Sequence, residues 1–218
     1  MLKVSGHGVS THWIQLYKLL GIGMFDQIKK FEDSLAEFTG APYVIMTDCC
    51  THAIELCLRH DRVCEVVMTP WTYLSIPMTM RKLGIKYYFR EEEWTGEYRF
   101  HGTRIWDSAR RLEPGMYRPG MKQCLSFGHG KTLHIGRGGA ILLDDQQAYE
   151  TLIRMRYDGR DLNISPWQQQ KTFQVGYHYR PTPEEAVQGL GLLEGLKEYC
   201  PPPKAVLYPD LRLITIEE

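Results

Sequence analysis

The chain carries no surplus of charge of either sign. Lysine plus arginine and aspartate plus glutamate each number 26 among 218 residues. There is therefore no basic field to draw nucleic acid, and no acidic excess of the kind that keeps a chain disordered. Long hydrophobic runs are also missing. The apolar stretches are short and interrupted, which argues against a membrane-spanning helix. The opening segment, residues 1–13, lacks the apolar centre of a secretory leader, so we read the chain as cytoplasmic. The six cysteines, Cys49, Cys50, Cys57, Cys64, Cys124 and Cys200, contain no C-x-x-C pair. Most lie in apolar patterns and read as reduced thiols rather than as disulfides or metal ligands. No internal repeat stands out, and low complexity is confined to three glutamines at 168–170 and three prolines at 201–203.

Two glycine signatures are absent as well. Gly130-Lys131-Thr132 invites a nucleotide P-loop, but that motif needs a glycine where Leu125 stands. A dinucleotide G-x-G-x-x-G fails twice, at Leu133 after Gly128-His129-Gly130 and at Ile141 after Gly136-Arg137-Gly138.

What is present is a lysine between two glycine-rich turns. Lys131 sits in Ser126-Phe127-Gly128-His129-Gly130-Lys131-Thr132-Leu133-His134-Ile135-Gly136-Arg137-Gly138-Gly139, with an apolar strand directly after it. A lysine held at a strand end and partly buried loses its proton more easily than a surface lysine. That is what an amine needs to form a Schiff base with an aldehyde.

With 43% hydrophobic residues the chain can bury one sizeable core. Apolar spacings of three and four predict a helix over 24–38, closed by Gly40. Strands are predicted at 43–47, 63–68, 85–89, 103–107, 123–127 and 139–143. Further helices are predicted at 50–60, 72–83, 145–157 and 183–199, the last entered through Thr182-Pro183-Glu184-Glu185. Residues 90–102 and 158–175 read as polar and irregular, and the tail 205–218 as holding one strand. Alternating strands and helices indicate an α/β fold, a mostly parallel sheet flanked by helices. Ligands in such sheets bind at strand carboxyl ends. Residues 47–51, Asp107 and residues 126–131 all fall there.

Six segments, in order, resemble the DegT/DnrJ/StrS group of pyridoxal-phosphate (PLP) sugar aminotransferases, fold type I. They are the helix Phe31 to Gly40, the turn Asp48-Cys49-Cys50-Thr51-His52-Ala53, Thr69-Pro70-Trp71-Thr72-Tyr73, Asp107-Ser108-Ala109, the Lys131 loop, and Gly176-Tyr177-His178-Tyr179-Arg180. The resemblance covers most of residues 24–198. It implies the PLP-binding large domain of a fold type I transferase over 24–199, an N-terminal segment 1–23, and a short tail 200–218 in place of most of the small C-terminal domain. It implies Lys131 as the Schiff-base lysine and Asp107 as the carboxylate at the cofactor's ring nitrogen, which keeps the ring an electron sink. Phosphate donors would be Cys50 and Thr51 at a helix start, with Ser126. Tyr73 would stack on the ring, with Trp71 the second choice. Arg110 and His178 complete the implied cofactor contacts, and Arg137 and Arg180 the substrate contacts.

Three of these positions depart from the family's pattern. Arg110 replaces a glutamine or histidine, Arg137 an acidic residue, and His178 an asparagine that typically reaches a neighbouring subunit's phosphate. The implied activity is transfer of an amino group, with glutamate as donor, to a nucleotide-linked keto-sugar in a homodimer or larger homo-oligomer. Two alternatives stay open: other PLP-dependent sugar chemistry, such as dehydration or retro-aldol cleavage, and a catalytically impaired relative that binds cofactor or nucleotide sugar.

Overall fold

The computed structural model describes residues 25–203 and 207–216. The segment 1–23 therefore lies outside the described residues. Helix α1, Asp26–Thr39, buries Ile28, Phe31, Leu35 and Phe38 along one stripe. Gly40 ends it in the left-handed region at φ 76°, where a side chain would be strained. Strand β1, Tyr43–Thr47, follows, then α2, Cys50–His60, with Cys49 as N-cap. β2 is Glu65–Met68, α3 Ser75–Leu83 and β3 Lys86–Phe89. Pro77 falls in the first turn of α3, where its missing N–H costs nothing, so the helix begins three residues later than the sequence suggests.

The stretch read as irregular, 90–102, contains a short strand, β4, Tyr98–Arg99. It pairs antiparallel with β5, Ile105–Asp107. Two residues are too few for alternation to reveal, and the pairing depends on a tight return through Gly102 at φ 86°. β6, Lys122–Ser126, and β7, Gly139–Leu143, precede α4, Gln146–Met155, and α5, Pro183–Glu198. The stretch 158–175 contains a single 3-10 turn, Trp167–Gln169. In the tail a 3-10 turn at Leu211–Leu213 stands where a strand was expected. Leu211 is buried and its N–H donates to the Pro70 carbonyl at 3.1 Å, so this segment docks through one apolar anchor rather than by joining a sheet.

The main sheet runs β1-β7-β6-β5-β4. β7 is antiparallel to both its neighbours, and β5 and β6 are parallel. β2 and β3 pair parallel, and Val67 bridges His101 antiparallel just beyond β4. Five strands, β1, β2, β3, β5 and β6, thus point one way, and β4 and β7 the other. Alternate residues feed opposite cores. Ile45, Ile141 and Leu143 join α2, α3 and α4 on one face, while Val44, Met46, Ala140 and Leu142 join α1 and α5 on the other. Covered on both faces, β7 reads Gly-Ala-Ile-Leu-Leu with every residue buried.

One polar device locks these layers. Buried Glu32 on α1 accepts from the Met46 N–H at 2.8 Å and pairs with buried Arg156, which also reaches the Met46 carbonyl at 2.7 Å. Thr182 and Glu185 form a capping box at the start of α5. Among the described residues no helix is long and apolar enough to cross a membrane.

Candidate active site

Register brings the site together. Thr47 at the end of β1 pairs with Gly139, and Gly139 pairs with Ser126 at the end of β6. The three stand side by side at one edge of the sheet. Asp107, the last residue of β5, is aligned with Cys124 two residues short of that edge. A cavity of about 500 Å³ opens there, lined among others by Cys50, Thr51, Asp107, Arg110, Ser126 and Lys131.

The lysine loop is a closed hydrogen-bonded unit. The Phe127 N–H donates to the Gly138 carbonyl at 2.9 Å, the Ile135 N–H to the Phe127 carbonyl at 2.9 Å, and the Lys131 N–H to the Gly128 carbonyl at 3.3 Å. Gly136 and Gly138 hold φ of 98° and 107°, a turn that side chains rarely tolerate. The Gly138 N–H reaches the Asp48 carbonyl at 3.0 Å and ties the loop to the start of α2. Gly139 allows that approach, because a Cβ there would lie 2.5 Å from the Cys50 nitrogen.

Lys131 is partly buried. Burial and then the Arg110 cation push its amine below the ordinary lysine range, against the opposing pull of Asp107 and Cys50. Asp107 is 6% exposed, and burial raises its carboxyl above the ordinary range. Hydrogen bonds from the Ala109 N–H at 3.0 Å and the Tyr98 hydroxyl at 2.9 Å, with the charge of Lys131, limit the rise. Since Tyr98 donates to Asp107, the 2.6 Å contact between Thr72 and Tyr98 is a donation by Thr72. A chain from Thr72 through Tyr98 thus fixes the carboxylate.

The first turn of α2 forms another wall, with Cys50 and Thr51 as its first residues. Helix-start N–H groups and the dipole suit an anion there. The Thr51 hydroxyl lies 2.8 Å from that of Ser75. Beside this turn, His52 Nδ1 is 2.7 Å from Asp48 and its ring stacks on Tyr179 at 3.7 Å. Burial would lower the imidazole's proton affinity, but the hydrogen bonds to Asp48 and Cys49 outweigh it and push His52 up to about 9. Asp48, Cys49 and His52 place ligand-type atoms within 4.8 Å of one another. His52 is already paired with Asp48, the His52 backbone N–H donates to Cys49 Sγ at 3.4 Å, and the Arg137 guanidinium lies 3.3 Å from Asp48, so the group is an ion-pair scaffold under the helix start.

Of the sequence-predicted residues, Lys131, Asp107, Cys50, Thr51, Tyr73, Arg110, Ser126 and Arg137 all line the cavity. Trp71 does not; its carbonyl accepts the Trp94 indole N–H at 2.8 Å, which leaves Tyr73 as the aromatic candidate from that segment. His178 and Arg180 are not brought to it. His178 is exposed beside Asp158, and the Arg180 guanidinium lies 4.9 Å from the Tyr157 ring centre. Sequence reasoning missed Trp94 and Tyr208, stacked at 5.8 Å in the cavity wall. The aromatic density of Trp94, Tyr98 and Phe100 was the available signal for the first. Nothing local marked the second.

This layering, with a cavity at the strand ends, is that of the large domain of fold type I PLP-dependent transferases. The chain itself belongs to the DegT/DnrJ/EryC1/StrS aminotransferase family, whose model matches residues 19–93 and 118–201. Asp107 and Arg110 fall between the two matched stretches. A search of the curated proteins finds no match. Among solved structures the chain is similar to AtS13 from Actinomadura melliaura, at 21% identity and a TM-score of 0.69, covering 90% of this chain and 67% of that one. It is also similar to PseC of Helicobacter pylori, an aminotransferase involved in the biosynthesis of pseudoaminic acid, at 15% identity and a TM-score of 0.65, covering 79% of this chain and 58% of that one. A third is DesI, solved in the presence of its TDP-sugar product, at 19% identity and a TM-score of 0.64, covering 79% and 53%. The chain thus spans between about half and two thirds of these proteins.

Proposed function

We propose that this chain is a PLP-dependent aminotransferase acting on a nucleotide-linked keto-sugar, with glutamate as donor. The observation that carries the reading is the meeting of Lys131, Asp107 and the first turn of α2 in one cavity. The donor set fits a phosphorylated pyridine aldehyde. Lys131 would hold the aldehyde carbon, Asp107 the ring nitrogen, and Tyr73 the ring face. The Cys50 and Thr51 N–H groups, with the Thr51 and Ser126 hydroxyls, would hold the phosphate. When bound, the cofactor supplies an acceptor for the amino group and a ring that withdraws electrons from the reacting carbon.

The protein's own groups do the rest. Once the donor's amine displaces it from the aldehyde carbon, Lys131 Nζ would take a proton from the donor's α-carbon and later return one to the sugar carbon that becomes aminated. An amine below the ordinary lysine range suits both directions. Asp107, with its raised proton affinity, makes a strong acceptor for a ring N–H. Arg137, exposed at the cavity's rim, suits a diphosphate. The sugar-nucleotide class is supported by the family and by the TDP-sugar product of DesI. We assign residues 24–199 to the cofactor-binding domain, with the chain acting in the cytoplasm. His178, exposed beside Asp158, and Arg180 would serve a neighbouring subunit's site in a homodimer.

Adding PLP to the purified protein should produce a violet-region absorbance band that Lys131→Ala abolishes. Glutamate should then remove the band and release 2-oxoglutarate. A colourless protein that takes up no PLP would defeat the proposal. A yellow one that ignores glutamate would favour other PLP-dependent sugar chemistry.

A further inference from the structure

Arg110 stands where the family's pattern has a neutral or weakly basic side chain, and its surroundings differ from those of an ordinary surface arginine. It lines the cavity with Lys131, and its Nη1 donates to the Gly130 carbonyl at 3.0 Å. That carbonyl belongs to the residue just before Lys131, and Gly130 holds φ of 70°, so the contact grips the turn that aims the lysine. The Nε of Arg110 is buried and has no hydrogen-bond partner. A buried guanidinium nitrogen without a partner is costly, and this one belongs to a side chain that lines the same cavity as an amine of the same charge.

We infer that Arg110 is a positioning residue for Lys131. It clamps the carbonyl of Gly130, the residue before the lysine, and sets a permanent positive charge in the cavity wall that it shares with the lysine. The inference deepens the aminotransferase reading and rests on it for its use, although not for its test. The opposing groups are Asp107 on β5 and Cys50 on α2, which favour the charged form, and burial acts with Arg110. His129 and Arg137 from the lysine loop and Tyr73 from the loop before α3 line the same space. An arginine cannot shed its own proton to relieve the repulsion. The lysine therefore yields.

The test uses the full chain without PLP. Reductive methylation with formaldehyde and cyanoborohydride is followed from pH 7 to 11.5. Peptide mass spectrometry reads Lys131, with exposed Lys171 as the internal reference. In the unsubstituted protein Lys131 should reach half-maximal rate at a lower pH than Lys171. Arg110→Gln should move the Lys131 midpoint upward by about one pH unit, roughly a tenfold slower reaction at pH 8, and leave Lys171 unchanged. Arg110→Lys, which returns the charge, should restore most of the shift. If Arg110→Gln does not fold, Arg110→Met serves in its place, since it keeps the apolar stem. An unchanged Lys131 midpoint in the folded variant, or a parallel shift at Lys171, would overturn the inference. A protein that shows the shift yet takes up no PLP would defeat the aminotransferase reading and leave the role of Arg110 standing.

Discussion

Gly139→Ala is a one-methyl change that should damage the proposed cofactor site without altering any side chain assigned to it. The added Cβ would lie 2.5 Å from the Cys50 nitrogen, 2.6 Å from the Cys49 carbonyl carbon and 2.8 Å from the Cys50 Cα. All three are backbone atoms of the α2 start, so no side chain can swing aside. Ordinary contacts between such atoms are about 3.5–4 Å, and the helix start must therefore retreat by roughly 1 Å. The opposing strand cannot give instead, because Gly139 is paired on both sides, with Thr47 and Ser126. Overpacking of this kind costs about 1–3 kcal/mol. For a chain of this length that lowers Tm by about 2–12 °C. A phosphate cradle displaced by 1 Å should lose on the order of 10²-fold in productive binding. Spectrophotometric titration with PLP and a thermal melt on the same sample read both effects. A variant that melts with the unsubstituted protein and binds PLP equally well would refute the claim that β7 and the α2 start are in enforced contact.

Asp107→Asn keeps the volume and the Tyr98 contact but removes the charge. The reaction with glutamate, followed by stopped-flow absorbance, should slow by about 10²-fold or more while PLP is still taken up. His52, raised to about 9 chiefly by Asp48 against the effect of burial, should contribute stability that is complete below pH 6.5 and lost as pH rises through 9. Melts in that window should lose on the order of 1 kcal/mol after solvent screening, and His52→Gln should flatten the dependence. Buried Glu97 would be raised by burial, but Arg118, Ser108 and Arg111 together hold it below the ordinary range. Its contribution is therefore present above the unfolded carboxyl's pKa and lost as pH falls through the depressed one. Glu97→Gln should cost about 2–3 kcal/mol at pH 7 by chemical denaturation, less than a fully buried pair because Arg118 is 45% exposed.

The parts of this molecule that follow local rules could be read from the chain. β1, α2 and β7 declare themselves through buried runs and a helix start, and register alone then sets Thr47, Gly139 and Ser126 side by side. That Asp107 and Lys131 should face one cavity was legible, because a carboxylate ends β5 and a glycine-flanked lysine sits in the loop leaving its neighbour β6. β4 was not, since two residues carry no period and their pairing is a tertiary event. Nor was the support of Asp107, which runs through Thr72 and Tyr98 from distant segments. Tyr208 reaches the cavity because Leu211 is buried and hydrogen-bonded at Pro70, a contact between residues far apart in sequence. His178 and Arg180 were assigned through a motif, and in a single chain they stand away from the cavity.

In the proposed function Lys131 is the covalent anchor of the site. Reduction with borohydride after incubation with PLP, followed by peptide mass mapping, tests it most directly. One stable phosphopyridoxyl label is expected, on Lys131, and none in Lys131→Ala. A label spread over surface lysines, or a single label on another lysine, would contradict it.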